Sequence, residues 1–128
     1  MATIKAYTDL EQSKKLAEIL PIESADMRYA SLGDTHPWVW EEAKIRLLEN
    51  DSVPCWSLAA LYSILPNNKN ESTTLSRGGW QIDSPEYLNN WWCEYEDDSC
   101  EKDFSVSADN PIDACYEMIL KLYELNVL

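Results

Sequence analysis

Two helix-like segments, each led by a proline, constrain the fold of this chain more than any other feature. They are residues 54–65 (PCWSLAALYSIL) and 111–125 (PIDACYEMILKLYEL), and the stretch between them holds three of the six tryptophans. Proline suits the first turn of a helix, because its missing N–H would lack a partner there in any case. The stretch between has the alternation and turn residues of strands. The order helix, sheet, helix is therefore predicted.

Length and composition predict one folded domain over residues 1–128. With 45% hydrophobic and 11% aromatic residues, the chain can build a core without a metal or a disulfide. Its start, MATIKAYTDLEQ, lacks the apolar run of a signal peptide. No stretch approaches the roughly 20 apolar residues of a membrane span. We therefore expect a soluble, cytoplasmic protein with no membrane partner.

The four cysteines, Cys55, Cys93, Cys100 and Cys115, allow two disulfides by their even number. Without a secretion signal the reduced state is favoured, in which a thiol behaves as a small buried hydrophobe. Zinc sites use closer spacings such as C-x2-C, whereas six residues separate Cys93 from Cys100 and the sole histidine, His36, is distant. No metal or cofactor site is predicted.

The net charge of −13, from ten bases and 23 acids, argues against direct binding to DNA or RNA, which depends on Lys and Arg. Eleven of the acids lie within residues 78–120, together with one base, Lys102. The simpler interpretation, which we favour, is a solvated surface that keeps the protein soluble. The alternative is an electrostatic face for a basic partner. The candidate residues for such a face are Glu94, Glu96, Asp97, Asp98, Glu101 and Asp103.

An amphipathic surface helix is predicted near the start of the chain. Thr8 and Glu11 fit the S/T-x-x-E capping box, in which each side chain satisfies a backbone N–H of the other residue. Glu11 and Lys15 form an i,i+4 pair in the favourable order. Pro21 ends the helix.

Residues 24–50 have weaker secondary-structure signals. A short strand is expected within residues 24–31, with Met27 and Tyr29 on one face, followed by a turn at residues 33–35. Residues 38–50 (WVWEEAKIRLLEN) are ambiguous, because their start favours a strand and their remainder favours a helix. We expect a strand that leads into a helix or an irregular segment.

Three strands are predicted after the second helix, at residues 73–82, 87–95 and 104–107. A hairpin turn at residues 83–86 and an acidic loop at residues 96–103 connect them, and Gly78-Gly79 marks a bulge or a close backbone approach. Alternation in the middle strand divides its large side chains between both faces, as is typical of a sheet covered on each side. One face holds Tyr87, Trp91, Cys93 and Tyr95, and the other holds Leu88, Trp92 and Glu94.

The last helix has the clearest boundaries. Asp109 or Asn110 provides the cap and Pro111 occupies the first turn. A polar stripe of Asp113, Glu117, Lys121 and Glu124 lies opposite an apolar side made of Ile112, Cys115, Tyr116, Ile119, Leu122 and Tyr123.

The tryptophans have two interpretations. They could line a ligand groove or form an interface hot spot, where tryptophan is enriched. We favour the core for Trp56 and for one face of the Trp91–Trp92 pair, and partial exposure for Trp38, Trp40 or Trp80.

Catalytic motifs are weak or missing in the sequence. A Cys–His pair would need His36, carboxylate pairs arise by chance among 23 acids, and residues 94–103 lack the D-x-[DN]-x-[DN]-G spacing of a calcium loop. No glycine-rich phosphate-binding motif occurs. No catalytic residue is predicted.

Residues 7–27 (YTDLEQSKKLAEILPIESADM), 53–66 (VPCWSLAALYSILP) and 110–128 (NPIDACYEMILKLYELNVL) resemble an uncharacterised family of small proteins of gut Bacteroidales and of their phages and mobile elements. The order of a proline-led helix, Gly-Trp strands and a closing S-A-D-N-P-x-D-A-C helix is similar to phage proteins called ABA-sandwich domains, which place an antiparallel sheet between helices. The resemblance implies a phage or mobile-element origin and a fold, and it carries no catalytic residues.

The sequence thus predicts an α+β fold, in which about three helices pack on a small antiparallel sheet of about three to four strands, with an α-β-α sandwich as one arrangement. The favoured function is a non-enzymatic accessory protein that binds another, unknown protein. One alternative is an acidic DNA mimic that inhibits a basic DNA-binding protein. The other is an enzyme with an unrecognised active site.

Overall fold

The computed structural model describes residues 5–29, 37–39, 53–77, 90–98 and 103–128. Within these residues the chain forms three α-helices and two three-stranded antiparallel sheets, so the predicted α+β class is confirmed. The chain divides into two compact units. The first unit is Ala6–Leu61, and the second is Lys5 with Tyr62–Leu128. The single domain over 1–128 remains a prediction.

The first unit contains one helix and one small sheet. Its elements are α1 (Leu10–Ile19), a 3₁₀ helix (Ile22–Ser24), β1 (Met27–Tyr29), β2 (Trp38–Val39) and β3 (Val53–Cys55). Strand β1 lies between antiparallel β2 and β3, and α1 packs against β3. Leu16 of α1 and Trp56 are fully buried. The amphipathic pattern of α1 and the core position of Trp56 are therefore confirmed.

The N-terminal cap of α1 differs from the prediction. The Thr8–Glu11 capping box is wrong, because Asp9 is the N-cap and accepts the N–H of Gln12 at 2.8 Å. The side chain of Gln12 in turn accepts the N–H of Asp9 at 3.1 Å. Thr8 is fully buried, and its hydroxyl accepts the N–H of Trp56 at 3.1 Å. The Thr8 hydroxyl is therefore hydrogen-bonded to Trp56 and not to the first turn of α1, and the capping box forms one residue later.

The helix predicted to start at Pro54 begins later than expected. Val53–Cys55 form β3, with all three residues buried, and helix α2 spans Leu58–Ile64. Proline has no N–H to donate to a neighbouring strand and is therefore rare in central strands. Strand β3 is an edge strand of the described sheet, where proline is tolerated. Ser57 caps the helix instead, since its Oγ accepts the N–H of Ala60 at 3.2 Å. The first turn of the predicted helix is therefore wrong.

The second unit contains a three-stranded antiparallel sheet and a long helix. Its elements are β4 (Glu71–Arg77), β5 (Trp91–Asp97), β6 (Phe104–Ala108) and α3 (Pro111–Glu124). Strand β5 lies between antiparallel β4 and β6, and α3 packs on β5 and β6. The three predicted strands are confirmed with shifted ends. Strand β5 begins at Trp91 and runs to Asp97, so Glu96 and Asp97 lie in a strand and not in the predicted acidic loop.

Helix α3 has the boundaries that its sequence indicated. Asn110 is the N-cap, its Oδ1 accepts the N–H of Asp113 at 2.9 Å, and Pro111 follows in the first turn. Ile119 and Leu122 are fully buried. Lys5 reaches this helix from the start of the chain, with its ammonium 2.9 Å from the Asp113 carboxylate.

Several predictions fall on residues outside the described ranges. These are the turn at residues 33–35, the segment 40–50 after the confirmed strand Trp38–Val39, the glycine pair at 78–79, the hairpin turn at 83–86 and the exposure of Trp40 and Trp80. Within the described ranges, no helix is long and apolar enough to cross a membrane.

Candidate functional site: an exposed sheet face

One face of the second sheet carries hydroxyl and carboxylate side chains and a single tryptophan. Successive residues of a strand point to opposite faces, and the pairing of β4 with β5 runs without a break from Glu71–Asp97 to Arg77–Trp91. All residues of this face are exposed except Trp92, which is half-buried. We call it the outer face, and it consists of Ser72, Thr74, Ser76, Trp92, Glu94, Glu96, Ser105 and Ser107.

The outer face places each carboxylate beside hydroxyl groups. Thr74, Glu94 and Ser105 are directly opposite one another across the three strands, and Ser72 is opposite Glu96. Side chains opposite each other in an antiparallel sheet have Cβ atoms roughly 5 Å apart. Hydroxyl groups can donate or accept a hydrogen bond, whereas ionised carboxylates accept only. The described outer face contains no Lys or Arg and is negatively charged.

The opposite face of the same sheet is apolar, and α3 covers it. Cys93 and Tyr95 are buried there, and the rings of Tyr95 and Phe104 stack with centroids 6.0 Å apart. Burial of Tyr95 and the hydrogen bond that its hydroxyl donates to the Glu71 carboxylate raise the pKa of Tyr95 to about 12. The ammonium of Lys121 on α3 lies 5.1 Å from the Phe104 ring centroid.

Cover on both faces of this sheet was expected from the aromatics of the middle strand; the described residues show cover of one face by α3, and cover of the other stays a prediction. Trp92 is the only large aromatic among the described outer-face residues, and its cross-strand neighbours are Ser76 and Ser107. Short hydroxyl side chains cannot build the apolar surface on which a second layer would pack. Helix α3 covers one face, and on the other the described hydroxyl and carboxylate residues are exposed while Trp92 is half-buried.

The structure brings together some of the acids singled out in the sequence and separates another. Glu94 and Glu96 are two residues apart on the outer face and both are exposed. Asp97 points to the opposite face, where it is directly across from Glu71. The described residues form no salt bridge with Glu94 or Glu96. Two of the predicted acids thus form a common surface on regular structure.

Two of the remaining candidate acids, Asp98 and Asp103, lie near the same end of the sheet. Asp98 follows β5 in an exposed turn, and its N–H donates to the carbonyl of Asn70 at 2.9 Å. Asp103 is exposed directly before Phe104, which pairs with Tyr95. Glu101 lies outside the described residues. Negative charge is therefore concentrated at the end of the sheet where β5 finishes and β6 begins.

The hydroxyl residues of the outer face were missed in the sequence. Their signal is the alternation of Ser and Thr with larger residues in E-S-T-T-L-S-R and F-S-V-S-A, at residues 71–77 and 104–108. Alternation of this kind predicts a half-buried strand, as it does for Tyr29 in β1 and for the aromatics of β5. Applied to β4 and β6, it would have found the hydroxyl rows.

A buried polar cluster in the first unit has nucleophilic residue types but no access to solvent. The carbonyl of Thr8 accepts hydrogen bonds from the Tyr29 hydroxyl at 2.9 Å and from the Cys55 thiol at 3.3 Å, and the Thr8 hydroxyl lies 2.7 Å from that of Ser13. Burial raises the pKa of the Cys55 thiol. A buried thiol held in its protonated form is unreactive, so the cluster is structural.

The first unit also has an open depression of about 390 Å³, lined by Ile22, Glu23, Ala25, Met27 and Arg28. Burial lowers the pKa of Arg28. An enzyme pocket needs several polar groups that converge on a substrate, whereas the described lining offers one acid and one base on an otherwise apolar wall. In the described part of the chain, no cluster of His, Cys, Asp or Glu could hold a metal ion.

Comparisons of the chain with protein-family models, with curated proteins and with solved structures each find no match.

Proposed function

We propose that this protein is a non-enzymatic accessory protein that acts in the cytoplasm by binding another protein, and that the outer face is its binding surface. The observation that carries the proposal is the arrangement of Glu94 between Thr74 and Ser105 on an exposed, regular strand face. The carboxylates and hydroxyls of the outer face can accept hydrogen bonds from a partner. A surface of this charge complements a basic patch.

The rigidity of the surface supports the proposal. Binding is weakened by the entropy lost when side chains and loops become ordered, and serine and threonine lose little because they are short. The ladder from Glu71–Asp97 to Arg77–Trp91 already fixes the backbone beneath them. Arginine is the expected anchor on the partner, because its planar guanidinium binds a carboxylate through two parallel hydrogen bonds.

The accessory role in a phage or mobile element depends on the sequence resemblance alone. The protein-binding role is independent of it, because it is argued from the charge and exposure of the outer face.

The structure gives less support to a DNA mimic. Of the candidate acids in β5, Glu94 and Glu96 lie together on the outer face. Asp97 faces away from them. The described acids of β5 are therefore divided between two faces of the sheet, whereas a DNA mimic would gather them on one.

A comparative pull-down from the organism that encodes the protein tests the proposal. Three baits are used: the natural chain, the double variant Glu94→Gln/Glu96→Gln and the control Glu117→Gln/Glu124→Gln. Both variants lose two negative charges, and Glu117 and Glu124 are exposed on α3 rather than on the outer face. We expect a partner that the natural chain and the control retain and that the outer-face variant loses.

Two results would contradict the proposal. One is recovery of the same proteins by all three baits, which would place binding elsewhere or make it nonspecific. The other is catalytic turnover of a small molecule by the purified chain with no specific protein retained, which would favour an enzyme.

A further inference from the structure

One edge of the second sheet is open among the described residues. Strand β5 lies between β4 and β6, and no described strand pairs with β6 on its other side. A strand at the edge of a sheet presents a row of N–H and C=O groups that can pair with another chain. Ser105 and Ser107 of this strand are both exposed, so their backbone is accessible.

The pairing of the sheet shows which backbone groups lie at this edge. In an antiparallel sheet, the N–H and C=O of one residue point to one neighbouring strand and those of the next residue point to the other. The N–H of Asp98 donates to the carbonyl of Asn70 at 2.9 Å, which continues the pairing of β5 with β4 by one residue. The even-numbered residues of β5 therefore bond to β4, and the odd-numbered ones bond to even-numbered residues of β6 such as Val106. Ser105 and Ser107 thus direct their N–H and C=O groups away from β5.

The opposite edge of the sheet is partly closed by the chain itself. Asn68 uses both backbone groups of Glu71 on β4, because its Oδ1 accepts the N–H at 3.0 Å and its own N–H donates to the carbonyl at 2.8 Å. The carbonyl of Thr73 accepts the hydroxyl of Tyr62 at 3.2 Å. Over the described residues, the edge of β4 is therefore closed along its first half, whereas the edge of β6 is open along its length.

Charge selects the strand that fits the open edge. Asp103 and Asp109 are exposed at the two ends of β6, and Glu94 of the outer face is directly opposite Ser105. A second copy of the chain, paired antiparallel about Val106, would place Asp103 of each copy opposite Asp109 of the other. Like charges directly opposite each other are destabilising, and two chains of net charge −13 also repel. A basic segment would instead place Lys or Arg against both acids.

We propose that β6 is the docking edge for an extended basic segment of the partner protein, which adds to the sheet as a further antiparallel strand. The inference rests on the proposed function and specifies how the partner is held. Hydrogen bonds to the backbone of Ser105 and Ser107 fix the segment, and its residues opposite these serines project onto the outer face. An arginine there is roughly 10 Å from Glu94, two strand spacings away. The short Ser105 between them leaves room for the two charged groups to meet.

A synthetic peptide tests this mode of binding. The probe is the end-blocked peptide RVRVRVR, whose arginines would project onto the outer face while its valines would lie on the apolar face. In the antiparallel register, the nitrogens of its third and fifth residues face Ser107 and Ser105. Methylation of these two nitrogens removes two hydrogen bonds to β6 and should weaken binding at least about tenfold in calorimetric titration. Methylation of the nitrogens of the second and fourth residues, which face away from β6, should change the affinity by less than about threefold.

Amide hydrogen exchange measured by NMR reports on the edge itself. In the free chain the N–H groups of Ser105 and Ser107 should exchange rapidly, and saturating peptide should slow them at least about tenfold. The variant Ser107→Pro removes one outward N–H at a position where an edge strand tolerates proline, and it should bind the peptide about fivefold more weakly or worse. Ser107→Ala keeps the N–H and should bind as the natural chain does.

The proposal is overturned if the natural chain does not bind RVRVRVR, if the two methylated peptides bind equally, or if bound peptide leaves both serine amides unprotected. Protected serine amides in the free chain, together with a dimer in sedimentation, would assign the edge to a second copy and also overturn it. Methylated peptides that bind equally, but more weakly to Glu94→Gln/Glu96→Gln, would leave the outer face as a binding surface without strand addition. Failure here is thus distinguished from failure of the proposed function. The peptide comparison uses the natural chain, so it does not depend on whether Ser107→Pro folds.

Discussion

Replacement of Thr8 by valine tests the structure where it departs most clearly from its sequence pattern. Valine has nearly the shape of threonine, so the core stays filled while the hydroxyl is removed. In the natural chain that hydroxyl accepts the N–H of Trp56 at 3.1 Å and bonds to the hydroxyl of Ser13 at 2.7 Å. Thr8, Ser13 and Trp56 are all fully buried, so water cannot replace the lost partner.

The expected cost follows from these contacts. A buried donor left without a partner costs about 1–3 kcal/mol, which applies in full to the N–H of Trp56. The hydroxyl of Ser13 retains a long contact to the carbonyl of Thr8 at 3.5 Å, so its loss is smaller. We expect Thr8→Val to lower the free energy of unfolding by roughly 2–4 kcal/mol, a large part of the 5–15 kcal/mol typical of a domain.

Urea unfolding followed by far-UV circular dichroism measures this change. The midpoint should fall while the slope stays the same, since the surface exposed on unfolding hardly changes. Two controls accompany it. Thr8→Ser retains the hydroxyl and should cost about 1 kcal/mol for the lost methyl group, and Thr74→Val on the exposed outer face should change stability by less than about 0.5 kcal/mol.

A Thr8→Val protein as stable as the natural chain would refute the reasoning. It would mean that the Thr8 hydroxyl holds neither the N–H of Trp56 nor the first turn of α1, since the loss of a threonine N-cap also costs about 1 kcal/mol.

Three further predictions concern the second unit. Asn110→Ala removes the cap of α3 and should cost about 1 kcal/mol, measured as a lower Tm. Leu122→Ala should cost about 2–5 kcal/mol in urea unfolding, because the side chain is fully buried; no loss would place it at the surface. The pKa of Tyr95 is raised to about 12 in the folded protein. The contribution of its hydroxyl to the free energy of unfolding is therefore complete below about pH 10 and is lost as the pH rises towards 12. The difference in stability between the natural chain and Tyr95→Phe should shrink over that interval.

Local signals were sufficient for some elements of this fold. The end of β6 and the start of α3 are specified within a few residues, since Asn110 and Pro111 provide the cap and the first turn by their own chemistry. The alternation in β5 likewise placed Cys93 and Tyr95, which are both buried, on one face. In each case the deciding interaction lies within the element or its immediate neighbour.

Where prediction failed, the deciding contact was distant in sequence. Pro54 is equally suited to a first helical turn and to an edge strand, and its pairing with Arg28 in β1 made the choice. Thr8 could have capped α1, but the amide of Trp56 engaged it. A local sequence pattern does not reveal contacts with residues that far along the chain.

The candidate surface was predictable only in part. The sequence identified Glu94 and Glu96, and strand alternation places them on one face. It could not show that this face is the exposed one, because that depends on which side α3 covers. Asp97 was grouped with them from its position in the chain, although the period of two in a strand points it the other way.

The affinity of the purified partner for the natural chain and its two charge variants tests the central claim most directly. By calorimetric titration, Glu94→Gln/Glu96→Gln should bind at least about tenfold more weakly, which corresponds to about 1.4 kcal/mol, and the natural chain should lose affinity as salt is added. Glu117→Gln/Glu124→Gln should bind within about twofold of the natural chain. Equal affinities for all three proteins would contradict the claim that the outer face is the binding surface.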